Sequence, residues 1–181
     1  MKGFSKVLKI IIPLFTLLSL VSGYIFFFNQ ALPIKEATSG FGAFDLRFSY
    51  TADNVMTVLS HFNGERNAMF HEYFKWDYVF CGCYSVVAVS IPILVYIGND
   101  RHYLFFRSAI FSALASLFFN ITENILLINI IDSFPIFTDG DANLASGITT
   151  LKWAFLAVWA ASLILFLFLT LVFPGDKKNK Q

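Results

Sequence analysis

Four apolar runs dominate this chain: Val7 to Phe28, Tyr78 to Ile97, Tyr103 to Ile131 and Ile148 to Phe173. Each is about as long as the roughly 20 residues an α-helix needs to cross the hydrocarbon core of a bilayer. Inside lipid every backbone N–H and C=O must find a partner within the protein, so only helices and closed barrels span. Unbroken apolar runs, without the period-two alternation of barrel strands, select helices. The sequence therefore predicts an all-α integral membrane protein with four transmembrane helices and an amphipathic helical cap in the first external loop, residues 29–74. All 181 residues belong to a single membrane domain. Composition agrees: 57% of residues are hydrophobic and 23 are Phe, against about 45–50% apolar residues in an ordinary soluble domain.

The distribution of Lys and Arg predicts the orientation. With the N-terminus inside, Lys2, Lys6, Lys9, Arg101, Arg107 and the lysines of the tail face the cytoplasm, together with only two acids, Asp100 and Asp176. The other side then carries a clear excess of acids. Both termini are expected in the cytoplasm. The formal net charge of +1 conceals this separation, and no basic patch points to nucleic acid as a partner. The two cysteines, Cys81 and Cys83, lie two residues apart on one span, so they point to different helix faces and are expected to pack as small hydrophobes. The paired external cysteines of a thiol-oxidising membrane enzyme are missing.

The first run follows a basic start, as in a signal peptide, but it continues through Tyr24-Ile25-Phe26-Phe27-Phe28, longer than a typical apolar signal core. An uncleaved first span is expected. The loop that follows reads as irregular around Pro33, Gly40 and Gly42. Thr51 then offers a helix cap, and Val55, Val58, Leu59 and Phe62 give the helix one oily face before Asn63-Gly64 ends it. A second helical stretch from Glu65 is expected to run directly into the second span, with Tyr73 and Trp76 at the interface. Asp132 to Leu144 is acidic and reads as an external connection.

Polar residues inside the spans mark where chemistry would reside. Ser108, Ser112, Ser116, Asn120 and Asn124 recur every four residues, so one face of the third span is small and hydrogen-bonding and looks into the bundle. Glu123 lies beside that face. Asp77, Cys81, Tyr84, Ser85 and Ala88 make a similar stripe on the second span, and Lys152 sits about four residues into the fourth. An ionisable residue within a span is costly and normally has a partner, so Asp77, Glu123 and Lys152 are expected in one layer near the outer leaflet. Arg66, His71, Glu72 and Tyr73 approach that layer from above. Two readings follow. The cluster either fixes helix packing through a Glu123–Lys152 pair, or it forms a site where Glu123 or Asp77 acts as acid or base and Lys152 holds an anionic group.

Tyr50-Thr51, Gly64-x-Arg66, Tyr73, Asp77, Glu123-Asn124 and Lys152 together resemble the pattern of an uncharacterised family of small four-span bacterial inner-membrane proteins. The resemblance runs from Asp45 to Lys152. It implies the four-span fold and a bacterial inner membrane, and it carries no activity.

Other chemistries are discounted. The histidines His61, His71 and His102 do not fall on facing spans, so paired haem ligation is not expected, and no zinc-binding spacing is present. No metal site and no cofactor are assigned. The candidate ligand-binding residues are Arg66, Tyr73, Asp77, Asn120, Glu123, Asn124 and Lys152, with no catalytic role fixed. The partners expected are the lipid bilayer and a lipid or other amphiphile bound near the outer leaflet. The alternative is a non-enzymatic assembly protein.

Overall fold

In a computed structural model the chain is helical throughout its ordered elements, and the structure describes residues 2–38, 40–62, 64–98 and 102–172. The turn at Asn99–Arg101, Phe173 and the basic tail lie outside the described residues. Four helices are long and apolar enough to cross a membrane. They are α1 (Lys2–Tyr24), α4 (Arg66–Gly98), α5 (Tyr103–Ser133) and α6 (Asp139–Val172). Two short helices, α2 (Leu32–Ala37) and α3 (Ala52–Ser60), lie in the connection between α1 and α4. The four long helices alternate in direction. The end of α1, the start of α4, the end of α5 and the start of α6 therefore meet the 38–65 connection at one end of the bundle.

Two elements run further than the sequence indicates. Helical structure continues past Phe28 through a π-helical stretch, Ile25–Ala31, into α2, so the expected irregular start of the loop is helix. Pro33 stands at the start of α2 directly after the π-helical stretch, where the regular i→i−4 ladder is already interrupted. The reversal comes later, where Gly40 and Gly42 adopt φ of 93° and 79°, values that glycine accepts without strain. Similarly, α6 starts at Asp139 rather than near Gly147. The Thr138 hydroxyl accepts the Asp141 N–H at 3.2 Å while the Asp141 carboxylate accepts the Thr138 N–H at 2.9 Å. This reciprocal pair satisfies two otherwise orphaned groups, and both acids sit where a helix N-terminus favours negative charge.

The α3 helix forms where Thr51 predicts it. The Thr51 hydroxyl accepts the Asn54 N–H and the Asn54 side chain accepts the Thr51 N–H. Val55, Val58 and Leu59 are buried in one cluster with Phe70, Phe74 and Ile131, so the oily face of α3 packs onto the ends of α4 and α5. Thr51→Ala is expected to cost about 1 kcal/mol. Limited proteolysis of the 38–65 connection should accelerate accordingly, and an unchanged cleavage rate would show that burial alone holds α3.

α5 packs most extensively against α6, α4 packs against both α1 and α5, and α1 and α6 barely meet. The small residues Ala109, Ser112, Ala113 and Ser116 are buried on α5, which lets α6 approach closely. Ser108 Oγ and Ser162 Oγ meet across that contact at 2.8 Å. α4 runs continuously through Pro92.

Candidate functional site

The helical stripes converge on a buried polar centre below the 38–65 connection. Asp77 projects from α4, and its Oδ2 accepts hydrogen bonds from the amides of Asn120 at 2.8 Å and Asn124 at 2.6 Å. Those asparagines are one turn apart on α5, which is why both reach the same oxygen. Cys81, one turn along α4, donates its thiol to Asp77 Oδ1 at 3.4 Å and lies 2.9 Å from the Asn120 amide nitrogen. Cys81 is thus part of the polar centre rather than simple apolar packing, while Cys83 is a second free thiol. Every contact to Asp77 comes from a donor, the arrangement a carboxylate requires.

Glu123 and Lys152 form an ion pair at 2.6 Å, with Glu123 fully buried and Lys152 nearly so. Thr149, one turn before Lys152 on α6, donates its hydroxyl to the other Glu123 oxygen. The Lys152 ammonium also donates to the main-chain carbonyl of Asp45 at 2.8 Å. A charge pair this deep is tolerated only when its remaining hydrogen-bonding capacity is met. These contacts commit Lys152 to Glu123 and the Asp45 backbone, so it is not free in the way the anion-holding role expects.

Asp45 is the residue that the sequence reading passed over. It lies in the 38–65 connection, yet it is only 1% exposed, and its Oδ1 accepts the Tyr73 hydroxyl at 2.6 Å. Burial lifts its carboxyl from the ordinary value to about 7. Lys152 and the Tyr73 hydrogen bond oppose that rise, and the negative charges of Asp77 and Glu123 reinforce it. α6 holds the segment in place: the Tyr50 N–H donates to Ser146 Oγ at 2.9 Å, Thr150 Oγ donates to the Phe48 carbonyl at 3.0 Å and the Trp153 indole donates to the Arg47 carbonyl at 2.9 Å. Tyr50 is itself buried, with its hydroxyl 3.3 Å from Thr149 Oγ, and burial raises its pKa.

Of the candidate residues, Tyr73, Asp77, Asn120, Glu123, Asn124 and Lys152 come together, and Asp45, Tyr50, Cys81 and Thr149 join them. Arg66 does not: its guanidinium stacks on the Phe134 ring, 4.2 Å from the centroid. His71 instead pairs with Asp132 at 2.9 Å, and Glu72 pairs with Lys75 at 3.1 Å, all on exposed surface.

A cavity of about 500 Å³ lies between α1, α4 and α6. Asp45, Asp77, Asn120 and Lys152 form its polar end, and Val87, Ala88, Leu156 and Trp159 line its far, apolar end. From Asp77 to Ala88 the trough follows α4 for roughly 16 Å at the helical rise. α1 and α6 both line the trough yet barely meet, so little helix-to-helix packing lies between these two walls. Its volume falls within the range of small-molecule sites, roughly 300–1,000 Å³, and oily walls with a few convergent polar groups are the usual make-up of such sites.

Comparison with protein-family models, with curated proteins and with solved structures finds no match to this chain.

Proposed function

We propose that the chain is a polytopic protein of the bacterial inner membrane, with both termini cytoplasmic, that takes a lipid or other amphiphile from the outer leaflet into this cavity. Large apolar side chains support the membrane setting. Leu14 and Leu20 on α1, Leu104 and Phe111 on α5, and Ile164 and Leu171 on α6 are all at least half exposed, far more apolar surface than a water-soluble monomer carries. The distribution of Lys and Arg supports the orientation. Of the residues that carry the resemblance to small four-span bacterial proteins, Tyr50, Tyr73, Asp77, Glu123, Asn124 and Lys152 contribute to the polar centre, whereas Thr51 caps α3 and Arg66 stacks on Phe134. In this setting α3 and the 38–65 connection cap the outer end of the bundle.

The observation that carries the reading is the join between a buried polar head and an oily trough whose α1 and α6 walls barely pack against each other. A water-soluble ligand would enter from the end, whereas an amphiphile arrives laterally, tail alongside α1 and α6. Asp45 and Asp77 are the groups placed to meet its polar end and to exchange a proton with it.

The test is lipid analysis of protein purified in mild detergent. The parent should retain a discrete species at near-stoichiometric level. Leu156→Trp, which fills the trough without touching the polar centre, should lose it while nonspecific lipid is unchanged. Identical unselective profiles in both would sink the proposal. They would leave the second reading, an assembly protein whose charges only fix helix packing, which the saturated contacts of Lys152 favour.

A further inference from the structure

The polar end of the trough holds an imbalance of charge. Asp45 and Asp77 line it, Glu123 is buried behind Lys152, and among the described residues Lys152 is the one base in the group. Lys152 sits directly on Glu123, which accounts for one carboxylate. Asp45 Oδ1 accepts the Tyr73 hydroxyl at 2.6 Å. Asp77 remains, held by two amides and a thiol, none of which carries a charge. Its Oδ1 receives only the weak thiol donor at 3.4 Å, so that oxygen retains capacity for a stronger one.

Aromatic side chains wall the trough along its length: Phe80 and Tyr84 come from α4, Trp153 from α6, and Phe26 and Phe27 from the π-helical stretch, while Trp159 of α6 stands at the apolar end beside Ala88. Both indole N–H groups are directed elsewhere, to the Arg47 carbonyl and to the Ala88 carbonyl at 3.2 Å. The tryptophans therefore contribute ring surface to the trough rather than donors. Aromatic faces attract cations, the more strongly where water is excluded, and an organic cation beside a carboxylate gains from both. A bare metal ion fits less well, because among the described residues no three His, Cys, Asp or Glu side chains are grouped to hold one.

We infer that the trough selects a cationic amphiphile, a single alkyl or isoprenoid-like chain ending in an amine or quaternary ammonium group, with that group against Asp77 and the aromatic walls and the chain running toward Leu156 and Trp159. The inference rests on the proposed amphiphile binding and narrows its headgroup. An amine donates to Asp77 Oδ1, and a quaternary ammonium pairs with it by charge alone. Either places a positive charge directly against Asp77, which forms no ion pair among the described residues.

The experiment uses the full chain in dodecyl maltoside and follows intrinsic tryptophan fluorescence, to which Trp153 and Trp159 contribute from the trough and Trp76 from outside it, during titration with three probes of equal chain length: tetradecyltrimethylammonium, tetradecyl phosphate and tetradecanol. The ammonium probe should bind saturably and about tenfold or more tighter than either of the others, a factor typical of one desolvated charge contact. Leu156→Trp should abolish the response to all three, and Asp77→Asn should remove the preference while leaving chain binding. Equal or tighter binding of the phosphate or the alcohol would overturn the headgroup inference and leave the amphiphile reading standing. Saturable binding of none would overturn both. The comparison of headgroups on the parent protein decides the matter even if Asp77→Asn fails to fold.

Discussion

Lys152→Met is expected to lower the stability of the folded chain by about 3–5 kcal/mol, the cost typical of stripping one partner from a buried ion pair. Glu123 is fully buried and, among the described residues, Lys152 is its only cation. Methionine retains the length and apolar stem of lysine, so the loss measures charge rather than a cavity. Glu123→Gln should cost less, because Lys152 keeps its bond to the Asp45 carbonyl and remains near Asp45 and Asp77. In Glu123→Gln/Lys152→Met no buried charge is stranded, and most of the loss should be recovered. Thermal unfolding of the four proteins in one detergent closes the cycle. If Lys152→Met is as stable as the parent, Glu123 accommodates burial without its cation and the ion pair is not what holds α5 to α6.

That cycle also separates packing from binding. Glu123 does not line the trough, whereas Asp45 and Asp77 do. A stable double variant that retains the parent's lipid species would confine the Glu123–Lys152 pair to a structural role and leave the binding role to the two aspartates. Retention of lipid in the double variant and its loss in Leu156→Trp together would assign each part of the polar centre its function.

The four long helices are legible because length and apolarity are local properties, plain in runs such as Val7 to Phe28. The four-residue spacing from Ser108 to Asn124 was equally legible, since helical periodicity alone brings those side chains to one face, and Asp77 and Lys152 stood out as charges within apolar runs. Asp45 did not stand out. An acid two residues from Arg47 in a polar connection looks solvated, and its burial depends on α6 fastening Phe48 and Tyr50 through Thr150 and Ser146, contacts between residues about a hundred positions apart. The one signal available was the aromatic density around it, Phe41, Phe44, Phe48 and Tyr50, unusual for an exposed loop. The start of α6 is hidden for a local reason, because in sequence Asp139 and Asp141 read as connection acids, and only the reciprocal bonds with Thr138 make them the first turn of a helix. Arg66 was placed with the cluster on its position in the chain, and only the packing of Phe134 shows where its guanidinium goes.

The burial of Asp45 carries the second large effect. Asp45 belongs to the connection, outside the helices long enough to span, and its pKa is pushed up to about 7 from 3.8. The unfolded chain loses this proton near the lower value and the folded chain keeps it to the higher one. Below about pH 4 both states are protonated and there is no dependence. Between about 4 and 7 the folded state holds the extra proton, so stability falls as pH rises, by up to about 1.4 kcal/mol per unit for one group. Above about 7 the dependence ends. The groups facing Asp45 are Tyr73, Asp77, Glu123 and Lys152, all of them on the spans. The unfolding midpoint in detergent should therefore drop as pH rises from about 4 to about 7. Asp45→Asn should flatten this part of the profile, because asparagine resembles the protonated acid in shape and can still accept the Tyr73 hydroxyl. At pH 8 it should be more stable than the parent. A natural sequence that keeps an acid where an amide would be more stable is holding a titratable proton at the polar end of the trough. An Asp45→Asn variant with the parent's full pH dependence would show that the proton resides elsewhere in the cluster.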